Sequence, residues 1–210
     1  LKTPLTSLIS YSELLSDCHI DNEDAEKYIS VINQQSQKLK ILIEDLIEAS
    51  KVSTGNVTLN KTPINLSELA VQAIVEFSSD FEKNNLELKF TEPDKPLTVF
   101  ADGTKTYRII SNLLNNAKKY SAPNTSVYSS ISESDGFGFF EIKNVSKDPL
   151  NISPDELTER FVRGDESRTN EGNGLGLAIA KDLCNLQGGS MNISIDGDLF
   201  KVTVKLPLNK

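Results

Sequence analysis

Apolar side chains recur at helical spacing along the first 53 residues. Many of them lie three, four or seven residues apart, and a polar stretch at 16–22 divides them into two sets. The first set is Leu5, Leu8, Ile9, Leu14 and Leu15, and the second is Ile29, Ile32, Leu39, Leu42, Ile43 and Leu46. This spacing predicts two helices joined by a turn, that is, a helical hairpin. Two helices alone cannot cover both sides of the seven-residue stripe of Ile32, Leu39 and Leu46. We therefore expect two copies of the chain to pair as a homodimer with a four-helix bundle.

The pattern changes at residues 53–56, where Ser, Thr, Gly and Asn interrupt the second helix. Strands are predicted near 57–60, 86–91, 97–101, 126–132, 138–144, 191–195 and 200–206, and helices near 65–84, 103–120 and 175–186. Asn65 with Glu68 resembles a capping box at a helix start. Several antiparallel strands with three helices predict an α+β sandwich, with the helices on one face of the sheet. The predicted domains are residues 1–53 and residues 57–210.

Charge and composition narrow the possible functions. The chain has 210 residues and a formal net charge of −8, which disfavours binding to nucleic acid or to an anionic membrane surface. No stretch is apolar for long enough to predict a membrane span, and no signal peptide is predicted. Cys18 and Cys184 lie far apart in the sequence, and we interpret them as reduced thiols of a cytoplasmic protein.

The helix near 103–120 carries two carboxamides one turn apart. Asn112 and Asn116 share one helix face, and a carboxamide oxygen is a hard neutral ligand that suits Mg²⁺. Lys119 lies near enough to that face to reach phosphate groups, and Tyr120 can place its ring or its hydroxyl against a nucleotide. Taken alone, the pattern fits equally well a helix whose polar face is rich in Asn.

A glycine-rich segment precedes the helix near 175–186. Gly172, Gly174 and Gly176 allow the backbone to approach a phosphate closely, and the helix that begins there directs backbone N–H groups at an anion. Such a triplet is weak evidence by itself. Combined with the Asn-bearing helix, it predicts a site for a magnesium nucleotide.

The polar segment 145–173 between these two features is long enough to be a lid or a disordered loop. Phe161 and Arg163 lie within it. Phe161 is interpreted as an anchor in the core, and Arg163 as a cation for a terminal phosphate. The two interpretations are compatible.

Taken in order, these segments resemble a sensor histidine kinase of two-component signalling with an ATP-binding domain of the Bergerat type. Residues 1–6 resemble the end of the H-box, 112–121 the N-box, 161–163 the F-box, 172–177 the G2 box and 187–189 the last glycine motif. The resemblance covers essentially the whole chain. It implies a cytoplasmic kinase core, from a protein anchored in the bacterial membrane, that passes phosphate from ATP to a histidine and then to a response regulator.

The resemblance also implies roles for individual residues. Asn116 would be the principal Mg²⁺ ligand with Asn112 assisting, Arg163 would contact the terminal phosphate, and Thr3 would assist dephosphorylation of the regulator. The other residues implied to contact ATP are Lys119, Tyr120, Gly172, Gly174, Leu175, Gly176 and Leu177.

The sequence departs from the family pattern in two places. Asn144 stands where the family has an Asp that accepts a hydrogen bond from adenine, and the glycines that usually follow are absent. Asn144 can still accept this bond through its carbonyl oxygen, and Ile152 is a candidate for packing on the adenine. The acceptor histidine is expected directly before Leu1, outside this chain, since the single histidine, His19, falls in the predicted turn and is assigned no catalytic role.

Other proteins with this fold offer alternative functions. ATP-hydrolysing clamps have a glutamate that activates water where this chain has Asn112, and a carboxamide cannot act as a base. Anti-sigma serine kinases lack the helical hairpin. The alternative that we retain is a non-catalytic or phosphatase-biased signalling module.

Overall fold

The computed structural model describes residues 2–16, 21–53, 57–150, 153–158 and 174–209. The chain forms two compact units, Leu1–Ser53 and Thr54–Lys210.

The first unit is the predicted helical hairpin. Helix α1 spans Lys2–Leu15 and helix α2 spans Asn22–Ser53. Asp21 caps α2, because its Oδ1 accepts from the backbone N–H of Asp24 at 2.8 Å. The rings of Tyr11 and Tyr28 pack between the helices with centroids 5.5 Å apart. No helix in the described ranges is both long and apolar enough to cross a membrane.

The apolar side chains of the hairpin divide into two sets. Ile32 and Leu39, from the predicted stripe, are half-buried within the hairpin, whereas Leu46 is exposed. A second set also remains exposed and consists of Leu5, Ile9, Leu14, Ile29, Ile41, Ile43 and Ile47. The four-helix bundle stays a prediction, with these exposed side chains available to a second copy.

The second unit is the predicted α+β sandwich. Its elements are β1 (Thr62–Asn65), α3 (Leu66–Lys83), β2 (Glu87–Thr91), β3 (Thr98–Ala101), α4 (Gly103–Tyr120), β4 (Ser126–Ser134), β5 (Phe137–Val145), a 3₁₀ turn (Glu156–Thr158), α5 (Gly176–Leu186), β6 (Ser190–Asp196) and β7 (Leu199–Pro207). The five-stranded sheet has the order β2-β4-β5-β7-β6, with β2 parallel to β4 and the other neighbours antiparallel. β1 and β3 form a separate antiparallel pair.

One predicted element is wrong. Residues 57–60 form no strand, and β1 begins only at Thr62. The backbone N–H of Asn60 donates to Oδ2 of Asp102 at 2.8 Å instead of to a neighbouring strand. The predicted cap of α3 is confirmed, since Oδ1 of Asn65 accepts from the backbone N–H groups of Ser67 and Glu68 at 3.1 and 3.2 Å.

The core lies between the sheet and its helices. Alternate residues of β5 and β7 are buried, as expected for a sheet with one covered face. Helix α4 packs against both α3 and α5. Its buried stripe consists of Thr106, Ile109, Ile110, Leu113, Leu114 and Ala117. Asn112 and Asn116 border this stripe and are therefore held by a well-packed helix.

Candidate nucleotide-binding site

The start of α5 lies beside the middle of α4. A Cβ atom built on Gly176 would lie 3.9 Å from both Cγ and Oδ1 of Asn112, which is ordinary van der Waals contact. Nδ2 of Asn112 is buried and has no hydrogen-bond partner within the described residues. The structure thus brings the first carboxamide of α4 against the glycine-rich segment and leaves its amide group uncommitted.

The backbone at the start of α5 has the features of an anion site. Gly174 has φ of +63°, a conformation that favours glycine. Leu175, at the N-cap position, makes no capping hydrogen bond through its side chain and is buried, which anchors the helix start in the core. Gly176 and Leu177 are the first two residues of the helix. Their position at the positive end of the helix dipole favours a negatively charged ligand.

Two lysines flank Tyr120 at the end of α4. The Lys119 ammonium donates to the Tyr120 hydroxyl at 2.8 Å and lies 4.5 Å from the ring centroid. The Lys147 ammonium donates to the backbone carbonyl of Lys119 at 2.9 Å and lies 6.0 Å from the same centroid. Sequence reasoning missed Lys147. No local pattern marks it, because its position beside Tyr120 depends on the pairing of the end of β5 with the end of α4.

Asn144 lies at the end of β5 with its side chain on the buried face. Two backbone hydrogen bonds join this end of β5 to the end of α4, from Ala122 N–H to the Val145 carbonyl at 2.8 Å and from Lys147 N–H to the Tyr120 carbonyl at 2.9 Å. Within the described residues, the Asn144 amide donates one long hydrogen bond, of 3.4 Å, to the Val145 carbonyl. Its amide is therefore weakly committed to the protein, in the region where α4 ends.

The contacts between α4 and α3 are structural. Lys118 donates to Asp80 at 2.9 Å, and this hydrogen bond lowers the pKa of the Asp80 carboxyl group. The Tyr107 hydroxyl donates to Glu76, and this bond, with burial, raises the pKa of Tyr107 to about 12. These polar contacts attach α4 to α3, whereas Asn112 contacts the start of α5.

The remaining residues of interest are Thr3, the two cysteines and several residues outside the described ranges. Thr3 is exposed on α1 in the first unit. Burial raises the pKa of the Cys184 thiol to about 12, so this cysteine stays protonated. Several predictions fall outside the described residues and stay predictions; they concern Cys18, His19, Ile152, Phe161, Arg163 and Gly172.

Two family models match this chain. Residues 101–210 match the family described as histidine kinase-, DNA gyrase B- and HSP90-like ATPase. Residues 1–55 match the His kinase A (phospho-acceptor) domain. The first match covers α4, α5 and strands β4 to β7, and the second covers the hairpin.

Curated relatives match over nearly the whole of this chain. Sensor protein VanS of Enterococcus faecium is 31% identical over 99% of the chain and 54% of VanS. Sensor histidine kinase WalK of Bacillus subtilis (strain 168) is 30% identical over 99% of the chain and 35% of WalK. The chain therefore spans about half or less of the length of these two relatives.

Solved structures share the fold. Acinetobacter baumannii histidine kinase AdeS superposes with a TM-score of 0.72 at 17% identity, over 100% of this chain and 97% of that chain. Full-length ShkA in complex with AMPPNP gives 0.76 at 22% identity, over 99% and 44% of the two chains. Histidine kinase ThkA in complex with response regulator protein TrrA gives 0.73 at 21% identity, over 99% and 58%.

The phospho-acceptor match lies on the helical hairpin and the ATPase match on the sandwich, and the curated relatives align with 99% of the chain. The chain therefore belongs to the sensor histidine kinases of two-component systems.

Proposed function

We propose that this chain binds MgATP in its second unit and transfers the γ-phosphoryl group to a histidine of the phospho-acceptor domain. We propose that this histidine directly precedes Leu1, as predicted from the sequence. The observation that carries the proposal is the closeness of Asn112 to Gly176, where an added Cβ would lie 3.9 Å from the carboxamide, because it brings a hard metal ligand beside a helix end suited to phosphate. In the reaction, the imidazole nitrogen bonds to the γ-phosphorus, the bond to the bridging oxygen breaks, and ADP leaves.

Mg²⁺ fits the donors that α4 offers. We assign Asn116 as the principal ligand and Asn112 as the second, since carboxamide oxygens suit this ion and it keeps water and phosphate oxygens as its other ligands. The Nδ2 atom of Asn112 is buried without a partner among the described residues. Because buried polar groups are otherwise paired, this N–H donor supports a hydrogen bond to a phosphate oxygen, while the carboxamide oxygen serves the ion. When bound, the ion would neutralise charge on the phosphates.

The nucleotide itself would lie along α4 and the start of α5. We assign Lys119 and Tyr120 to nucleotide contacts at the end of α4, and Asn144 to the adenine amino group. The phosphates would contact the backbone of Gly174, Leu175, Gly176 and Leu177. ShkA, which shares this fold, was solved in complex with AMPPNP. Ile152, Arg163 and Gly172 keep the roles predicted from the sequence.

The hairpin would supply the partner surfaces. We propose a homodimer through residues 1–53 and a response regulator receiver domain as the recipient of the phosphate, in line with the complex of ThkA with response regulator protein TrrA. Thr3, exposed on α1, would help water to attack the phosphorylated regulator. We also propose that the kinase core is cytoplasmic and that the whole protein is anchored in the bacterial membrane.

The test is nucleotide binding measured with and without Mg²⁺. Titration of the chain with AMPPNP by calorimetry should show saturable binding that weakens when EDTA replaces Mg²⁺. Asn116→Ala should weaken the Mg²⁺-dependent binding about tenfold or more, as expected for loss of a metal ligand. Asn115→Ala removes the neighbouring exposed carboxamide and should change nothing. Equal affinity with Mg²⁺ and with EDTA would contradict the metal assignment.

A second candidate function is a non-catalytic or phosphatase-biased signalling module. The observation that favours it is the changed adenine motif, where Asn144 replaces the family Asp and Ser146 and Asp148 replace glycines. Incubation of the full-length protein with γ-labelled ATP separates the two functions. Acid-labile, base-stable label on a histidine supports the kinase, whereas nucleotide binding without any label supports the module.

A further inference from the structure

Helices α4 and α5 run antiparallel. Two points of close approach define the register of one helix relative to the other. Asn112 contacts Gly176 in the middle of α4, and Asp102 at the start of α4 bonds to Gln187 at the end of α5. These contacts are ten residues apart on α4 and eleven on α5. At 1.5 Å per residue, the separations are about 15 Å and about 16 Å. Both contacts therefore belong to one register of the two helices.

Gln187 makes the second contact with a fully buried side chain. Its Oε1 accepts from the backbone N–H of Asp102 at 2.7 Å and from the Thr106 hydroxyl at 3.3 Å. Its Nε2 donates to the Leu183 carbonyl at 3.2 Å. Exchange of the amide oxygen and nitrogen would place the NH₂ group against the Asp102 N–H and the oxygen against the Leu183 carbonyl, so only one orientation of this side chain satisfies its backbone partners.

Asp102 extends the connection into the start of α4. Its Oδ1 accepts from the backbone N–H of Lys105 at 3.1 Å, and its Oδ2 accepts from the backbone N–H of Asn60 at 2.8 Å. Its carbonyl accepts the first helical bond, from Thr106 N–H at 2.8 Å. The end of α5 is also fixed to the sheet, because Gly189 approaches the Lys205 carbonyl of β7 so closely that no Cβ would fit.

Apolar packing alone would not set this register. The α4 and α5 surfaces that meet are largely aliphatic, and burial of apolar area has no direction. Buried hydrogen bonds are directional and break when the helices slide. A slide of one residue moves Asn112 by about 1.5 Å relative to Gly176. A misplacement of about 1 Å by a change far from the chemistry is able to cost about a hundredfold in rate.

We infer that Gln187 and Asp102 are positioning residues for the nucleotide site, because they hold α4 and α5 in the register that places Asn112 against Gly176. The inference rests on the proposed binding of MgATP. Neither residue touches the ligand. They act from the opposite end of the helix pair, and their loss weakens the part of the affinity that depends on Mg²⁺.

The test compares AMPPNP affinity in Mg²⁺ with affinity in EDTA for two isosteric variants. Gln187→Met keeps the side-chain length and removes the acceptor for Asp102 and Thr106. We expect it to lower the affinity in Mg²⁺ about tenfold and the affinity in EDTA by less than about twofold. Asp102→Asn removes one acceptor, and we expect an effect of the same kind and about threefold in size.

The matched control is Asn65→Ala, which removes a helix cap from α3 in the same unit. It lowers the melting temperature through cap loss, but α3 carries none of the proposed ligands, so the ratio of the two affinities should stay at the wild-type value. A merely structural role of Gln187 would give the same outcome as this control. The ratio therefore separates positioning from general destabilisation.

The possible outcomes are distinct. Failure of the wild-type chain to bind AMPPNP in Mg²⁺ overturns the proposed function itself, before any variant is compared. Mg²⁺-dependent binding by the wild type, with the same ratio in a folded Gln187→Met variant, overturns only the inference. Should Gln187→Met not fold, the ratio measured for Asp102→Asn decides, and a wild-type value there overturns the inference as well.

Discussion

Substitution of Ile9 by glutamate should dissociate the proposed homodimer. Leu5, Ile9 and Ile29 lie in the hairpin with 50%, 51% and 49% of their surface exposed. Burial of the remaining half of one such side chain contributes about 0.8–1.5 kcal/mol. Three such side chains in each of two copies contribute about 5–9 kcal/mol to association. The translational and rotational freedom lost when two molecules associate costs at least about 4 kcal/mol. The net free energy of dimer formation is therefore small, and one substitution in the interface should be enough to dissociate the dimer.

Ile9→Glu removes two of these side chains from the dimer, one from each copy. The loss is about 1.5–3 kcal/mol, which raises the dissociation constant about 10- to 150-fold, and the two new carboxylates must also be desolvated. Sedimentation velocity over a concentration series measures this constant directly. Ser10→Glu is the matched control, because it adds the same charge at the next position of α1, where the native residue is polar and exposed. A wild-type chain that is monomeric at micromolar concentration would refute the bundle. Equal effects of the two variants would show that Ile9 does not lie in the dimer interface.

Two further predictions concern α4. Lys147→Ala should weaken AMPPNP binding about threefold, because it removes an ammonium beside Tyr120, and the effect should be smaller at high salt. The control is Lys143→Ala, which removes a lysine from beside Tyr128 instead. Equal effects of the two variants would contradict a specific role of Lys147 in nucleotide binding. The stability advantage of the wild type over Tyr107→Phe should shrink as the pH rises from 10 to 12. The folded-state pKa of Tyr107, about 12, lies above its ordinary value of 10.0, so the unfolded chain loses this proton first and gains in relative stability across that window. Urea denaturation at pH 9 and near pH 12 measures the difference, and an unchanged advantage would contradict the role of the hydrogen bond.

Elements defined by local patterns were predictable from the sequence. Asn65 is followed at the right spacing by Glu68, and the structure confirms the cap that this spacing predicts. The helix near 103–120 was predicted from its own residues and is found as Gly103–Tyr120. The strands predicted near 126–132 and 138–144 are also found, as β4 and β5, and a tight turn with positive φ at Asp135 and Gly136 joins them. In each case the deciding interactions join residues only a few positions apart.

The features that the sequence did not reveal depend on distant partners. The strand predicted at 57–60 fails because Asn60 bonds to Asp102, 42 residues further along the chain. The role of Gln187 depends on Asp102, 85 residues earlier, and nothing in the local sequence marks either residue as half of a pair. Lys147 becomes a candidate only when the end of β5 is seen to lie against the end of α4. No periodicity or motif spacing contains this information.

The chemistry of α4 bears on which nucleophile the proposed site would serve. Asn112 presents a carboxamide beside the start of α5, and a carboxamide does not take up a proton near neutral pH. Water is a poor nucleophile unless a base removes its proton, so position 112 offers water no activation. A neutral imidazole already has a free lone pair on one nitrogen and needs no base at this position. The same residue that suits Mg²⁺ therefore disfavours hydrolysis and leaves ATP available to a histidine, provided that α4 and α5 keep the register in which Asn112 meets Gly176.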